Sequence, residues 1–499
     1  MKPLLQFTVL FLCICYGTHA KQPQLDVREN KIAYEITIDS KNVRVAKVRM
    51  SFIPKDSVLY MTNGASQLPK RWATFVQEIK AVDSKGKSIS LTPMDDAMWR
   101  LPSSVKERIT VSYEVHLDHE NYEWSGGLDG VAYATEWGVF YTARALLIFH
   151  GENWEDIRID FNIPESWKMT TPWQKLNPDK HSFKAQNHSA LMQAMLFAGT
   201  HDELSFRKEG FELVFALGGQ EVLTEKQTYE DMATGILDYY IDLMGGVPNP
   251  SPNNVLDKAV VIINSAGTTD GEVIGNNISI LVEKGGDQMS KMISKFIFAH
   301  EFFHLWNGKS FLPEGEDTEW FKEGFTNFYT LKALRHIGFL NDEAYFQVLN
   351  NLFYQRYSQD EGVGKLSMIQ GEEKHAHWGL IYGGGLFVAI AQDIIIRKAT
   401  ANAKSLDHLM KAFFKKYGGT NEQYTIEDIR HTLSELSSKD QTNFFKTHIA
   451  GTEPLPIADY LSMAGLHARI EEGNLRIAKN ESASPFEKEM VKGLLGLLE

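Results

Sequence analysis

Residues 298–329, FAHEFFHLWNGKSFLPEGEDTEWFKEGFTNFY, contain two histidines, His300 and His304, with Glu301 between them. Residues four apart lie on one helix face, so both imidazoles can bind one Zn²⁺, with Glu301 placed to reach a zinc-bound water. Eighteen residues separate His304 from Glu323, which lies in a second predicted helix. Two histidines and one carboxylate leave a fourth zinc position for water, which is the composition of a hydrolytic site.

The alternative is a pair of ordinary core histidines whose nitrogens are satisfied by backbone carbonyls. An apolar stripe at helical spacing continues onto His300 and His304 and turns both inward; it consists of Met289, Met292, Ile293, Phe296 and Ile297. Glu323 is predicted to face inward with Trp320, Asn327 and Leu331. An inward carboxylate is costly without a cation, which favours the zinc interpretation.

HEFFHLWN followed by WFKEGFTNFY resembles the gluzincin metallopeptidases, specifically the glycyl aminopeptidase family. Further resemblance lies in residues 382–414 and 443–465, which contain YGGGLFVAIAQDIIIR and NFFKTHIAGTEPLPIADYLSMAG. The resemblance implies a thermolysin-like catalytic domain with one zinc ion per chain, held by His300, His304 and Glu323. It also implies Glu301 as general base and Tyr382 as the residue that stabilises the oxyanion. A complete PDZ module, usual in that family after the catalytic region, is not expected after residue 465.

The segment DGEVIGNNISILV, residues 270–282, departs from the family pattern. The family has a Gly-Gly-Leu-Glu-His type run here, whose glutamate is expected to bind the free amino group of the substrate. Ile274 stands at the position of that glutamate and Gly275 at that of the histidine, while Glu272 lies two residues earlier. The strand NISILV is predicted to be the edge on which a peptide pairs. The predicted substrate-binding residues are Glu272, Ile274, Gly275, Asn277 and Ser279.

The elements that must position these residues change character along the chain. ITVSYEVHL and IRIDFNI alternate apolar and polar residues and predict half-buried strands in an N-terminal antiparallel β domain, residues 21–218. YEDMATGILDYYIDLMGG is helical, KAVVIIN and NISILV are strands, and residues after 289 are mainly helical. The fold class is therefore predicted as α+β: the β domain, then a catalytic domain at 219–465 with a small sheet and a helical bundle, then a short extension at 466–499.

The first twenty residues contain Lys2, an apolar run and small residues at Thr18 and Ala20. This pattern predicts a cleaved secretory signal and export to the periplasm or extracellular space. The alternative, a membrane anchor, is disfavoured because about 20 apolar residues are needed to span a bilayer. Both cysteines of the chain lie inside this segment, which excludes thiolate ligands and disulfides from the mature protein.

Composition and net charge restrict the classes of molecule that the protein is expected to bind. The chain has 499 residues, 43% hydrophobic and 23% charged, with a formal net charge of −13. This acidic balance argues against nucleic acid, because phosphate binding needs a basic face. The expected partner is a peptide or protein substrate, with no stable membrane insertion after signal cleavage, and the oligomeric state is not specified by the sequence.

The resulting prediction is an exported zinc metallopeptidase, of aminopeptidase type. Because Ile274 replaces the expected amine-binding glutamate, an endopeptidase or a peptidase of blocked N-termini is the first alternative. A zinc-containing protein that binds peptides without turnover is the second, although retention of Glu301 argues against it, since the metal does not need that carboxylate as a ligand. The same zinc acting on an ester or epoxide is the third.

Overall fold

The computed structural model describes residues 31–124, 127–250 and 258–497, without the side chains of 288–290. The predicted signal segment, residues 1–20, lies outside this range, as does the side chain of Met289. The fold is α+β, as predicted: a β-rich N-terminal region is followed by a small sheet and a set of helices.

The described residues of the N-terminal domain contain fifteen strands and two short α-helices. The strands are β1 Ala33–Asp39, β2 Asn42–Phe52, β3 Val58–Tyr60, β4 Val76–Asp83, β5 Ser88–Ile89, β6 Thr92–Met94, β7 Met98–Arg100, β8 Ile109–His116, β9 Ala132–Thr135, β10 Gly138–Thr142, β11 Glu155–Asn162, β12 Lys168–Thr170, β13 Gln174–Asn177, β14 Ser182–Asn187 and β15 Met195–Gly199. The helices are α1 Ala143–Leu146 and α2 His188–Met192.

These strands form an eight-stranded sheet in the order β13-β14-β11-β1-β2-β8-β4-β5, a four-stranded sheet β12-β15-β10-β9 and a three-stranded sheet β3-β7-β6. Alternation predicts β8 correctly: Ile109, Val111, Tyr113 and Val115 are buried and the residues between them are half-buried. The pairing is antiparallel with one exception, because β1 and β11 run parallel.

The region predicted to be the catalytic domain, and called the catalytic part below, begins with a five-stranded sheet in the order β16-β17-β18-β20-β19. Its elements are β16 Asp202–Lys208, β17 Phe211–Gly218, β18 Lys258–Ala266, β19 Asp270–Ile274, β20 Asn277–Glu283, and the helices α3 Gln220–Thr224, α4 Lys226–Met244 and α5 Gln288–Phe303. The boundary predicted at residue 218 divides this sheet, because residues 212–218 of β17 pair in parallel with β18. The sheet places the division near residue 200.

The helical bundle that follows packs on α5 and on this sheet. It contains α6 Glu319–His336, α7 Asp342–Val348, α8 Gln355–Gln359, α9 Gly384–Ala399, α10 Asp407–Tyr417, α11 Ile426–Ser437, α12 Thr442–Phe444, α13 Ile457–Met463 and α14 Pro485–Leu494, with the short strands β21 Leu312–Pro313, β22 Gln423–Tyr424, β23 Leu466–Glu471 and β24 Asn474–Lys479. The helix Gly379–Ala399 has the length and hydropathy of a membrane span, but 89% of its most apolar window is buried inside the fold, as expected of a core helix.

The segment predicted as a C-terminal extension, 466–499, belongs to this bundle in its described part. It forms the hairpin β23–β24 and helix α14, and Met490 and Leu494 are buried in the catalytic core. The carbonyl of Gly496 lies 2.9 Å from Nδ1 of His336 at the end of α6. This contact ties the C-terminal end of α6 to the C-terminal segment of the chain.

The two domains meet in a separate apolar cluster. Tyr133, Phe140, Met195 and Phe197 come from the N-terminal domain, and Ala216, Val260, Ile262, Ile274 and Leu281 come from the catalytic sheet. Trp137 donates its indole N–H to Asn264 Oδ1 at 2.7 Å, and Asn264 donates to the Tyr133 hydroxyl at 2.9 Å. The N-terminal domain therefore covers one face of the catalytic sheet.

Candidate metal centre

Helix α5 carries the two histidines into the interior. Phe296 is buried and Met292 and Ile297 are partly buried against the catalytic core, so the predicted stripe packs inward. His300 is 7% exposed, and His304, which directly follows the last residue of α5, is 8% exposed. The inward stripe thus turns both imidazoles toward α6.

Helix α6 brings the third side chain. Glu323 is 5% exposed, and Trp320, Asn327 and Leu331 are also buried, as predicted for its inward face. Fifteen of the 18 residues of α6 are buried, so this carboxylate has little access to water. Its charge must be balanced by neighbouring groups.

The three predicted ligands converge. His300 Nε2 and His304 Nε2 are 3.1 Å apart, and Glu323 Oε2 lies 3.4 Å from the first and 3.3 Å from the second. In a tetrahedron with zinc–ligand distances of ~2.05 Å, ligand atoms are separated by roughly 3.3 Å. The three donor atoms therefore already have the spacing of a zinc site.

The outer nitrogens of both rings are occupied by hydrogen-bond acceptors. His304 Nδ1 lies 2.8 Å from the Asn307 carbonyl, and His300 Nδ1 lies 2.9 Å from Asn327 Oδ1. Each neutral ring thus carries its proton on Nδ1 and presents a lone pair at Nε2. Two nitrogen lone pairs and a carboxylate that face one point repel one another. A cation bound at that point would replace this repulsion with attraction. The residues present therefore fit a metal ion.

Lysines flank the second oxygen of Glu323. Lys322 Nζ and Lys374 Nζ lie 3.4 and 3.6 Å from Glu323 Oε1, and each also lies 2.6 Å from a carboxylate oxygen of Glu319. Burial opposes ionisation, but His304, His300 and Lys322 hold the pKa of Glu323 well below its usual range. Sequence reasoning missed this network, because Lys374 lies far from α6 in the chain.

Glu301 lies beside the cluster and is half-buried. Burial raises the pKa of Glu301 to about 7; His300 opposes this rise, while the charges of Glu323 and Glu272 add to it. The carboxylate of Glu301 interacts electrostatically with His300 and Glu323 without being one of the three converging donors. This is the arrangement expected of a general base.

Tyr382 lies in a π-helical turn, Gly379–Gly383, that precedes α9. Its ring stacks on Trp378 at 5.1 Å and lies 6.5 Å from the ring of His300. Burial and the charges of Glu323 and Glu301 raise the pKa of Tyr382 well above its usual value, so the phenol keeps its proton. Asn327 links this residue to the metal cluster, because it contacts His300 Nδ1 and donates to the Tyr382 carbonyl at 3.4 Å.

The residues predicted to bind substrate separate into two groups. Glu272 lies in β19, close enough to Glu301 for its charge to raise the pKa of Glu301. Ile274 is 8% exposed and packs in the interdomain cluster, where it contributes to the core. Asn277 donates to the carbonyls of Gln193 and Ile274 at 2.9 and 3.2 Å and holds the turn after β19.

Gly275 and Ser279 also occupy structural positions. Gly275 has φ +60° in the turn between β19 and β20, and an added Cβ would lie 2.6 Å from Gln193 Oε1, so glycine is required there. Ser279 is fully buried opposite Glu272 in the β19–β20 pair. Of the five residues, the structure connects Glu272 with the catalytic cluster.

The prediction that NISILV forms the sheet edge is wrong. This strand is β20, which pairs in parallel with β18 on one side and antiparallel with β19 on the other. Both of its backbone edges are therefore occupied. The edge strand on this side of the sheet is β19, because the hairpin turn at Gly275 folds residues 270–274 onto the outside of β20, while β16 forms the opposite edge. Sequence alternation does not reveal which of two adjacent strands is outermost.

A close helix crossing sets the position of Glu323. A Cβ on Gly324 would overlap the backbone of Gly385 in α9, so the two helices touch at their glycines. We expect Gly324→Ala to lower the free energy of unfolding by about 3 kcal/mol, as overpacking does, and to weaken metal binding by displacing α6. Thermal unfolding and metal titration check both effects. Gly246→Ala is the matched control, since its Cβ would lie at an ordinary contact distance of 3.6 Å from Phe414. If both variants lower stability and metal binding equally, the close crossing of α6 and α9 does not set the position of Glu323.

Comparison with known proteins gives the family. A profile of the peptidase M61 N-terminal domain matches residues 31–200, and a profile of the M61 glycyl aminopeptidase matches residues 295–378; together they span more than half of the chain. A solved structure of an aminopeptidase N family protein from Idiomarina loihiensis has a similar fold, with a TM-score of 0.73, 20% sequence identity, and coverage of 88% of this chain and 79% of that one. No curated protein sequence matches significantly. Because both its N-terminal region and its catalytic region match, the chain belongs to the M61 glycyl aminopeptidase family and is a peptidase.

Proposed function

We propose that this peptidase is an exported, zinc-dependent enzyme that removes residues from the free N-terminus of peptides. The observation that carries the proposal is the convergence of His300 Nε2, His304 Nε2 and Glu323 Oε2 within 3.4 Å of one another. Nitrogen and carboxylate donors in this number and spacing suit Zn²⁺. Export rests on the N-terminal signal pattern; N-terminal sequencing of the mature protein should find residue 21 first.

When bound, zinc would polarise the scissile carbonyl and acidify a water molecule. Glu301 accepts the proton of the attacking water and then donates it to the leaving amine. Its carboxylate is suited to both steps because partial burial makes its basicity higher than that of an exposed glutamate. Asn307 and Asn327 keep the imidazoles in the Nδ1-protonated form, and Lys322 and Lys374 keep Glu323 in place.

Tyr382 is proposed to donate its hydroxyl hydrogen to the oxyanion of the tetrahedral intermediate. Stacking on Trp378 holds the ring beside His300, and the raised pKa keeps the donor protonated at neutral pH. A donor aimed at developing charge acts in the transition state more than in the ground state.

Tyr382→Phe tests this role. We expect kcat to fall by about 10²-fold with little change in KM, because the lost hydrogen bond forms mainly in the transition state. Steady-state kinetics on a peptide substrate measures both constants. Tyr460→Phe, at a half-buried tyrosine of α13 in the same bundle, is the control. Unchanged turnover with a lower melting temperature would mean that the phenol only packs.

Exopeptidase action is tested separately from the zinc chemistry. Matched peptides with free and acetylated N-termini are incubated with the zinc-loaded enzyme, and the cleavage positions are read by mass spectrometry. Release of single residues from free N-termini only is the expected result. Internal cuts in acetylated peptides would instead establish an endopeptidase, the alternative raised by Ile274.

A further inference from the structure

A largely buried hydrogen-bonded pair closes the loop that leads to the Tyr382 turn, Gly379–Gly383. Asp360 directly follows α8, and His377 lies two residues before the turn. His377 Nδ1 lies 2.8 Å from Asp360 Oδ1, and the two side chains are 22% and 6% exposed. The pair therefore holds together the two ends of residues 360–377, which we call the 360–377 loop.

The carboxylate of Asp360 receives three donors. Its Oδ1 accepts from the backbone N–H of Gly362 at 2.8 Å as well as from His377, and its Oδ2 accepts from the backbone N–H of Leu380 at 3.0 Å. Nδ1 of His377 is the donor because an ionised carboxylate can only accept. Leu380 is the second residue of the turn, so Asp360 is bonded directly to the backbone two residues before Tyr382.

Two glycines show how closely the segments approach. A Cβ on Gly379 would overlap the carbonyl oxygen of Arg356 and lie 2.8 Å from Asp360 Cβ. A Cβ on Gly362 would lie 2.8 Å from His377 Nδ1. The end of α8 and the start of the turn are thus in backbone contact, and such close-packed groups transmit a displacement of one to the other.

Aromatic contacts carry the same restraint to the Tyr382 ring. Trp378, the residue after His377, stacks on Tyr382 with 5.1 Å between ring centroids and an angle of 7° between the planes. The guanidinium of Arg356 in α8 lies 4.8 Å from the Trp378 ring, and Phe353 stacks on that ring at 5.7 Å. Residues in and before α8 therefore hold Trp378, and Trp378 holds the phenol ring.

The 360–377 loop also reaches the third proposed metal ligand. Lys374 lies in this loop, and its Nζ is 3.6 Å from Glu323 Oε1 and 2.6 Å from Glu319 Oε2. A Cβ on Gly371 would overlap the carbonyl oxygen of Glu316, just before α6. One loop, closed at its ends by Asp360, therefore contacts both the helix that carries the metal ligand and the turn that carries Tyr382.

We infer that Asp360 and His377 form a clasp that positions Tyr382 for catalysis. Asp360 is a positioning residue: it acts on Tyr382 through the backbone of Leu380 and, by way of His377, on the backbone next to Trp378. The inference rests on the proposed role of Tyr382 as donor to the oxyanion. Such a donor is effective only when it is aimed at the developing charge, and a misplacement of about 1 Å can lower the rate by ~10²-fold.

Asp360→Asn tests the clasp. Asparagine keeps the shape of the side chain but offers one acceptor oxygen where two oxygens now receive donors. Kinetics on Ala-Ala-Ala-amide use zinc-loaded protein whose zinc content is measured on the same preparation. We expect kcat to fall by at least ~10-fold with KM within about twofold, because a misplaced donor affects mainly the transition state. Glu361→Gln, at the adjacent exposed acid, is the matched control and should keep both constants.

A double-mutant cycle separates positioning from stability. In the Tyr382→Phe background there is no phenol to position, so Asp360→Asn should lower kcat by less than about threefold. The alternative is that Asp360 only caps the start of the helix that continues into α9 and stabilises the fold. A residue of that kind would lower the melting temperature and cause the same loss of kcat in both backgrounds.

His377 provides a second variant that keeps the test open if Asp360→Asn does not fold. His377→Ala removes the donor and should lower kcat by about 10-fold, as misplacement of a catalytic group does. His377→Asn supplies an amide N–H in place of Nδ1–H and should restore most of that loss. His375→Ala, two residues earlier and exposed, is the matched control.

The outcomes distinguish the clasp from the proposed function. Parental turnover of both Asp360→Asn and His377→Ala, or equal losses of kcat in the parent and Tyr382→Phe backgrounds, would overturn the clasp while leaving Tyr382 as the donor. Parental turnover of Tyr382→Phe alone would contradict the proposed role of Tyr382, and the clasp would fail with it.

Discussion

Replacing His304 with alanine is expected to remove the bound metal and the peptidase activity together. The imidazole supplies one of three donors that lie within 3.4 Å of one another. Loss of even an outer partner of a metal ligand costs about 10- to 100-fold in affinity or activity, so loss of a ligand should cost at least ~100-fold in both. His300→Ala and Glu323→Gln should behave in the same way. Elemental analysis and a peptide-cleavage assay measure the two losses.

Stability provides an independent measurement of the same site. A ligand that binds only the folded protein raises its melting temperature. A chelator should therefore lower the melting temperature of the parent protein but not that of His304→Ala. His375→Ala, which removes an exposed imidazole, is the matched control and should keep both metal and activity. A parent protein that contains no metal after mild purification, and does not respond to added zinc, would contradict the site.

Glu301→Gln is expected to lower kcat by roughly 10² to 10⁴-fold, the usual contribution of a general base. Glutamine keeps the size and a hydrogen-bonding oxygen of the side chain but cannot accept the proton of water at neutral pH. Because Glu301 is not among the three converging donors, the zinc content should remain that of the parent. Kinetics and elemental analysis on one preparation separate loss of the base from loss of metal.

The control for this variant is Glu314→Gln, an exposed glutamate in the loop that leads to α6. It removes the same charge from the same part of the chain and should leave turnover within about twofold, as surface substitutions away from special features generally do. If Glu301→Gln retains parental turnover, Glu301 is not the base. If it loses zinc, the carboxylate has a role in metal binding that the three-donor geometry does not include.

Local periodicity was sufficient to predict that His300 and His304 both face the interior. His300 and His304 share a face because a helix repeats every 3.6 residues, and Glu301 is displaced round the same helix. The alternation of β8 is local in the same sense, since each side chain's face follows from its position in the strand. These relations depend on neighbours within a few residues, and the sequence contains them directly.

Contacts between distant segments were decided by the tertiary structure. Lys374 reaches Glu323, and Asn327 joins His300 to Tyr382, through packing of elements that are separate in the chain. The strands β16 and β17 belong to the catalytic sheet although their alternation continues that of the N-terminal domain. Periodicity specifies which face of an element is apolar but not which partner covers it.

Residues 270–282, where a peptide substrate was predicted to pair, show most clearly what the sequence determines and what only the tertiary structure decides. The sequence predicted a strand at NISILV, and their spacing of two places Glu272 and Ile274 on one face of an extended segment. Only the folded chain determined that β19 is the outer strand of this hairpin and that Ile274 is covered by the N-terminal domain. The physical reason is that hydrogen-bond pairing and burial between remote segments depend on the free energy of the whole packed arrangement, which no short stretch of residues encodes.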